Sequence, residues 1–208
     1  MLNFLYNVII SDVTKLCYRN CLEHFTDNAT ILDVGIGNGV MLKNNHSVIK
    51  SKNLQITGLD INSNYIKHCE RLIKDYRLED HIDIHHESVM NYEPPPGHGF
   101  DFILFSMSFM LLSDQPGILD QVKRWLNPEG EIVFFQTMFQ NRSKVMEYIK
   151  PRLKFITSID FGDVTYDRDF YQLLSQQDLE ITKDELLKQK WFNGQYRLIA
   201  TQMSNGHH

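Results

Sequence analysis

Glycine occupies every second position in Gly35-Ile36-Gly37-Asn38-Gly39, directly after the apolar run Ile31-Leu32 and the segment Asp33-Val34. A buried strand that ends in such a loop brings bare backbone against a ligand, because only glycine removes the side chain that would block the approach. About twenty residues on, Ile56-Thr57-Gly58-Leu59 ends in a second acid, Asp60. In α/β proteins that pairing holds a nucleoside: glycines under the linkage and a carboxylate on the ribose hydroxyls. A carboxylate suits a vicinal diol because it has two acceptor oxygens and no donor.

Other reactive side chains are scattered. His85 and His86 are adjacent on a predicted strand and so face opposite sides. His86 is carried as a candidate base, with packing or solvent as the competing reading. His98 sits in the rigid loop Pro94-Pro95-Pro96-Gly97-His98-Gly99 and reads as exposed. The segment Asp160 to Asp167 mixes acids, aromatics and a glycine. It is either a polar surface loop or an acceptor pocket in which Tyr166 and an acid such as Asp163 hold a cationic or hydrogen-bonding substrate. Tyr6 and Tyr18 could close the cleft from the N-terminal side, or pack in an amphipathic helix. Gln136, Met138 and Phe139 follow the fifth strand and could line the same space. Cys17 and Cys21, four apart on a helix, read as core residues rather than metal ligands, and no metal site is expected.

The elements that must position these residues alternate. Apolar residues recur at helical spacing over residues 4–25. Strands are predicted at 30–34, 54–59, Ile82–His86, Phe100–Phe105 and Glu131–Gln136. A helix opening at Val40 is expected to be short, because Asn44-Asn45-His46 interrupts it. Ser63 is the expected cap of the next helix, whose stripe runs from Tyr65 to Tyr76. Ser113 or Asp114 caps another at 115–126, which Asn127-Pro128-Glu129-Gly130 stops. Helices follow at 142–153 and 169–176. Leu179–Trp191 and Gln195–Gln202 form a hairpin around Asn193-Gly194. The result is an α/β sheet, parallel except at one edge. No repeat, linker or second domain is visible.

The chain has 208 residues, 42% hydrophobic and 23% charged, enough for one domain with a proper core. A net charge of −5 disfavours a nucleic-acid partner. Three cysteines without paired spacing argue against a disulfide framework and fit a reducing, cytoplasmic setting. The apolar start Met1–Tyr6 lacks a basic region and a cleavage site, so no signal peptide is expected, and no membrane span either.

Four landmarks together resemble the class I S-adenosylmethionine-dependent methyltransferases: Asp33-Val34-Gly35-Ile36-Gly37-Asn38-Gly39, Asp60, Phe100–Phe105 with its following loop, and Leu126-Asn127-Pro128-Glu129-Gly130. The closing hairpin matches the family's reversed last strand, and the resemblance covers about 30–202. It implies a Rossmann-like methyltransferase fold with a mostly parallel seven-stranded sheet. The expected organisation is an N-terminal helical cap (1–29), the cofactor domain (30–203) and a substrate cap within it (140–178). By resemblance, Gly35, Gly37 and Gly39 pass under the methionine and ribose of S-adenosylmethionine, and Asp33 helps to place the amino group. Asp60 takes the ribose hydroxyls and Ile61 packs on adenine. Glu87 and Ser88 lie where an aspartate usually meets the adenine amino group, and Ser88 departs from that pattern. Ser106, Met107 and Ser108 face the reactive end, with Tyr6, Ser108, Phe139 and Tyr166 as substrate candidates.

The expected reaction is methyl transfer to a small molecule, with a nitrogen acceptor (an amine or an imidazole) favoured by the acids and aromatics of the cap. Alternatives are a protein or RNA acceptor, a non-catalytic member of the fold, and a nicotinamide-dependent oxidoreductase. The glycine spacing disfavours the last, since its fingerprint leaves a longer final gap. The absence of an Asn/Asp-Pro-Pro-Tyr-type motif after strand four disfavours amino-methylation in polymers. Oligomeric state is left open.

Overall fold

The computed structural model describes residues 18–140, 147, 164–189 and 194–204. Residues 18–24 are helical (α1). There follow β1 (Thr30–Val34), α2 (Val40–Ser51), β2 (Gln55–Asp60), α3 (Ser63–Asp75), β3 (Ile82–His86), β4 (Phe100–Ser106), α4 (Gln115–Lys123) and β5 (Leu126–Phe139). The remaining elements are β6 (Thr165–Tyr166), α5 (Asp167–Gln176), β7 (Leu179–Gln189) and β8 (Gly194–Met203).

The sheet runs β3-β2-β1-β4-β5-β8-β7, with the short β6 beside the end of β5. Strands β1 to β5 run parallel to one another, and β8 and β7 close the edge antiparallel. The expected mixed sheet and closing hairpin are therefore present. Among the described residues the sheet has eight strands rather than seven, and β6 is a strand the sequence did not suggest.

Strict alternation feeds two cores. Ile31, Leu104, Val133 and Phe135 face α1, α2 and α3, where Leu22, Phe25, Leu42 and Cys69 meet them. Leu32, Ile103, Phe105 and Phe134 face α4 and α5, against Leu119, Val122 and Phe170. A strand covered on both sides must be apolar at consecutive positions, which is why β4 reads Phe-Asp-Phe-Ile-Leu-Phe.

Three local expectations change. Helix α2 runs unbroken through Asn44-Asn45-His46, because Asn45 is buried and its Nδ2 donates to the Met41 carbonyl at 2.8 Å. Asn62, not Ser63, caps α3: its side chain accepts from the N–H groups of Asn64 and Tyr65. Helix α4 ends at Lys123, with Asp114 as its cap. Asn127-Pro128-Glu129-Gly130 forms an irregular start to β5, opposite the register shift between Phe100 and Phe102. Glu129 takes φ +64° there, where glycine would be easier. The 142–153 helix, the Asn193 turn, Tyr6 and Asp163 lie outside the described residues.

Candidate cofactor site

The chain order reverses between β1 and β4, which are neighbours in the sheet although β2 and β3 intervene in sequence. Strand ends diverge at such a switch point and leave a crevice beyond their carboxyl ends. A cavity of about 490 Å³ opens there, walled by Gly35, Gly37, Asp60, Ile61, Glu87 and Ser106 among others.

The loop after β1 is tied to β2. The N–H groups of Gly35 and Ile36 both donate to the Leu59 carbonyl, at 2.8 and 3.0 Å. Gly37 N–H then donates to Asp60 Oδ2 at 2.9 Å, and Asn62 N–H donates to Asp60 Oδ1 at 2.8 Å. Each carboxylate oxygen is thus held by one backbone donor and keeps a lone pair for a further one. Gly37 has φ +69°, and nothing lies within 4 Å of where a Cβ would stand. A side chain there would fill the cavity. Ile61, next to Asp60, is 75% exposed, an apolar surface left open at the rim.

Beneath the loop, Asp33 is fully buried. The Tyr18 hydroxyl donates to its Oδ2 at 2.7 Å, while Oδ1 has no partner. Burial pushes the carboxyl up to about 7, against the Tyr18 bond, which lowers it, and with the Asp60 charge, which raises it further.

At the other end of the cavity, Met107 N–H donates to the Phe135 carbonyl at 2.7 Å, and Met107 takes φ +59°. That turn exposes Ser106 and Met107 to the cavity. A second cavity of about 320 Å³ lies beside Phe109, Tyr166 and Phe170 and shares the wall residue Leu112 with the first.

Residues 31–130 match the family model described as a methyltransferase domain. That stretch, just under half of the chain, carries a methyltransferase domain. A curated relative, carboxy-S-adenosyl-L-methionine synthase from Alteromonas mediterranea, is 23% identical over 129 residues, covering 62% of this chain and 51% of the relative. The chain therefore spans about half the length of that relative. Among solved structures, the [4+2]-cyclase SpnF matches with a TM-score of 0.71 and 14% identity, covering 89% of this chain and 79% of that one. The Burkholderia thailandensis 1,6-didemethyltoxoflavin-N1-methyltransferase, with its substrate and S-adenosylhomocysteine bound, matches with a TM-score of 0.69 and 11% identity, covering 98% and 84%. These structures share the fold with this domain.

The cavity fits the methyltransferase cofactor: a bare Gly37 backbone, a carboxylate with free lone pairs and an exposed apolar rim. Of the residues expected to touch it, Gly35, Gly37, Asp60, Ile61, Glu87, Ser88 and Ser106 line it. Gly39 does not. A Cβ on Gly39 would stand 2.9 Å from Cys69 Sγ, so this glycine lets α3 pack close. Asp33 lies below the wall rather than in it. Glu87 N–H donates to the Asp60 carbonyl at 3.1 Å.

The acceptor-side expectations change more. Ser108 is in the wall, but its hydroxyl proton is given to the Val34 carbonyl, so it is a brace between β1 and the β4 loop. Phe139 is buried at the end of β5, outside the cavity wall. Tyr166 lines the second cavity, and its hydroxyl donates to Glu147 Oε1 at 2.8 Å. His86 points Nε2 at the Ile61 carbonyl, 3.0 Å away, and steadies the rim instead of facing the methyl end. His98 lines a separate cleft with His81 and Thr30 at the amino ends of the strands. Sequence reasoning missed Asn62, Tyr65, Leu111 and Leu112 as wall residues. Asn62 could have been found, since Asp-x-Asn at a strand end is a capping pattern. Among the described residues, no group of three His, Cys, Asp or Glu could hold a metal, and no helix is long and apolar enough to cross a membrane.

Proposed function

We propose that this protein transfers the methyl group of S-adenosylmethionine to a small-molecule acceptor, with nitrogen as the accepting atom. When bound, the cofactor supplies a methyl group already activated on a sulfonium. The protein's part is to hold, orient and exclude water. Asp60 takes the ribose hydroxyls with the lone pairs that Gly37 and Asn62 leave free. Ile61 covers the adenine face, with Glu87 and Ser88 at its edge. Ser106 and Met107 border the methyl end, and the second cavity beyond Leu112 receives the acceptor.

Two features support a nitrogen acceptor. The second cavity combines aromatic walls (Phe109, Tyr166 and Phe170) with the carboxylate of Asp169, a setting for a flat or cationic nitrogen compound. Its neighbourhood among the described residues also offers no histidine base, and a neutral amine or imidazole nitrogen attacks through its own lone pair without one. The reacting nitrogen gains a bond to the methyl carbon as the carbon–sulfur bond breaks, and the proton it sheds passes to water. A helical cap over residues 1–29 and a substrate cap within 140–178 belong to the same proposal.

The clasp of Gly37 on Asp60 is the observation that carries this reading. Isothermal titration with S-adenosylhomocysteine tests it: Asp60→Ala is expected to bind at least about 100-fold more weakly, about 2.7 kcal/mol. Equal affinity in the two proteins would refute the site. Labelled S-adenosylmethionine offered with amines and imidazoles tests the reaction. Tight cofactor binding without methyl transfer would place the protein with fold relatives whose names describe other chemistry, such as the cyclase.

A further inference from the structure

A single turn separates the two cavities. Phe109–Leu111, shortly after β4, is a 3-10 turn with Ser108 before it and Leu112 after it. A 3-10 turn has about three residues per revolution, so residues three apart stand one above the other. Ser108 and Leu111 accordingly line the cofactor cavity, while Phe109 and Met110 line the second. Leu112, one revolution after Phe109, lines both. Among the described residues it is the one wall residue that the two cavities have in common.

The ridge is held firmly. The Ser108 hydroxyl donates to the Val34 carbonyl, and Leu111 N–H donates to the Ser108 carbonyl at 2.9 Å. Leu112 N–H donates to the Phe109 carbonyl at 3.2 Å, and Gln115 Nε2 donates to the same oxygen at 3.0 Å. The Phe109 side chain is 1% exposed and roots the turn among Phe105, Phe134 and Phe170, with ring centroids 5.1, 4.9 and 6.0 Å away. Leu112 packs against that core and is only partly covered. A leucine on a backbone tied in this way is a fixed obstruction, since close-packed neighbours leave it little room to yield.

We propose that Leu112 is the specificity-determining residue of the transfer: it narrows the junction of the two cavities, so the acceptor is a flat-ringed amine whose nitrogen is carried on a short, unbranched arm. The ring packs against Phe109 and Phe170 in the second cavity. The arm passes Leu112 and brings the nitrogen into line with the methyl carbon. A branch beside the nitrogen meets the leucine side chain instead. An apolar wall discriminates one carbon more or less by about 10- to 200-fold. This inference rests on the second cavity being the acceptor site.

Two isomeric sulfonium analogues of S-adenosylmethionine probe the junction, one with n-propyl and one with isopropyl in place of the methyl group. They contain the same atoms and differ only in branching, at the place where the acceptor's arm would lie. Each is titrated by calorimetry into the full chain, with S-adenosylhomocysteine as the reference. The wild type is expected to bind the n-propyl isomer at least about tenfold more tightly than the isopropyl isomer. In Leu112→Ala that preference is expected to fall below about threefold. Leu111→Ala, on the same turn but facing only the cofactor cavity, is expected to keep it. Leu112→Phe is expected to weaken the n-propyl isomer at least about tenfold relative to S-adenosylhomocysteine. The preference is a ratio read within each protein, so a uniform change in cofactor affinity cancels. Equal binding of the isomers to the wild type, a preference that survives Leu112→Ala, or one lost equally in Leu111→Ala would each overturn the proposal. Binding of S-adenosylhomocysteine but of neither isomer would overturn it too, because no path would then lead past the methyl position. Failure of the cofactor site itself would show separately, as loss of S-adenosylhomocysteine binding in the wild-type chain.

Discussion

Three glycines that look alike in the sequence do three different jobs. Gly37 leaves the cavity open, Gly35 makes room for the Ser108 side chain, and Gly39 lets α3 approach through Cys69. Their spacing marks the loop correctly, but only neighbours distant in the chain distinguish the roles. Asp33 behaves in the same way. The sequence marks it as the acid before the glycines, yet its properties come from Tyr18 and from burial. Its carboxyl titrates near 7 in the fold against 3.8 when free, so the native state holds its proton more tightly than the unfolded chain. Stability is therefore lost as pH rises between these values, and the loss is complete above about pH 7. Asp33→Asn removes this dependence. Chemical denaturation should find the variant gaining on the wild type from about pH 4 to 7, with a ceiling near 4 kcal/mol from the full shift. A gap that stays constant across that range would show that the fold does not raise the Asp33 carboxyl.

Among elements, the inner strands β1 and β4 were the most legible, because burial on both faces demands continuous apolar runs, and Asn28 and Gly35 flank the first while Gly99 precedes the second. Helix interiors were less so. Asn44-Asn45-His46 has poor helical propensity, but Asn45 bonds back to Met41 inside the core and α2 continues. The end of α1 depends on another element entirely. Lys52, just past α2, gives its ammonium to the carbonyls of Leu22, Glu23 and Phe25. Helix C-termini leave such carbonyls without intrahelical donors, and a cation suits their partial negative charge. Lys52→Met keeps the stem and deletes the charge, and urea unfolding should show a loss of about 1–2 kcal/mol. Because α1 carries Tyr18, the same variant is expected to weaken the hold on Asp33. A wild-type midpoint would show that solvent caps α1 equally well.

For the whole molecule, the strand order β3-β2-β1-β4-β5-β8-β7 matters more than any one strand. It sets β1 beside β4, opens the crevice above them, and brings the loops after both strands to one cavity. A ligand that binds only this assembled crevice stabilises the entire fold by mass action. S-adenosylhomocysteine at about 100 times its dissociation constant should add about 2.7 kcal/mol, read as a rise in melting temperature by differential scanning fluorimetry. Nicotinamide adenine dinucleotide at the same concentration is expected to add nothing, and the reverse ranking would overturn the cofactor assignment.

What the sequence determined by itself was local: an alternation of strands and helices, a glycine loop after one strand, and an acid at the end of the next. Those features depend on residues within a few positions of each other, so periodicity and spacing reveal them. Tertiary structure decided everything that joins distant segments. Tyr18 lies on Asp33, Ser108 braces Val34, Leu112 divides two cavities, and Gln136 is sealed between Phe134 and Met138 without a partner. Each follows from packing two helical layers against one sheet, where a side chain's neighbours are set by the order of strands and not by the order of residues.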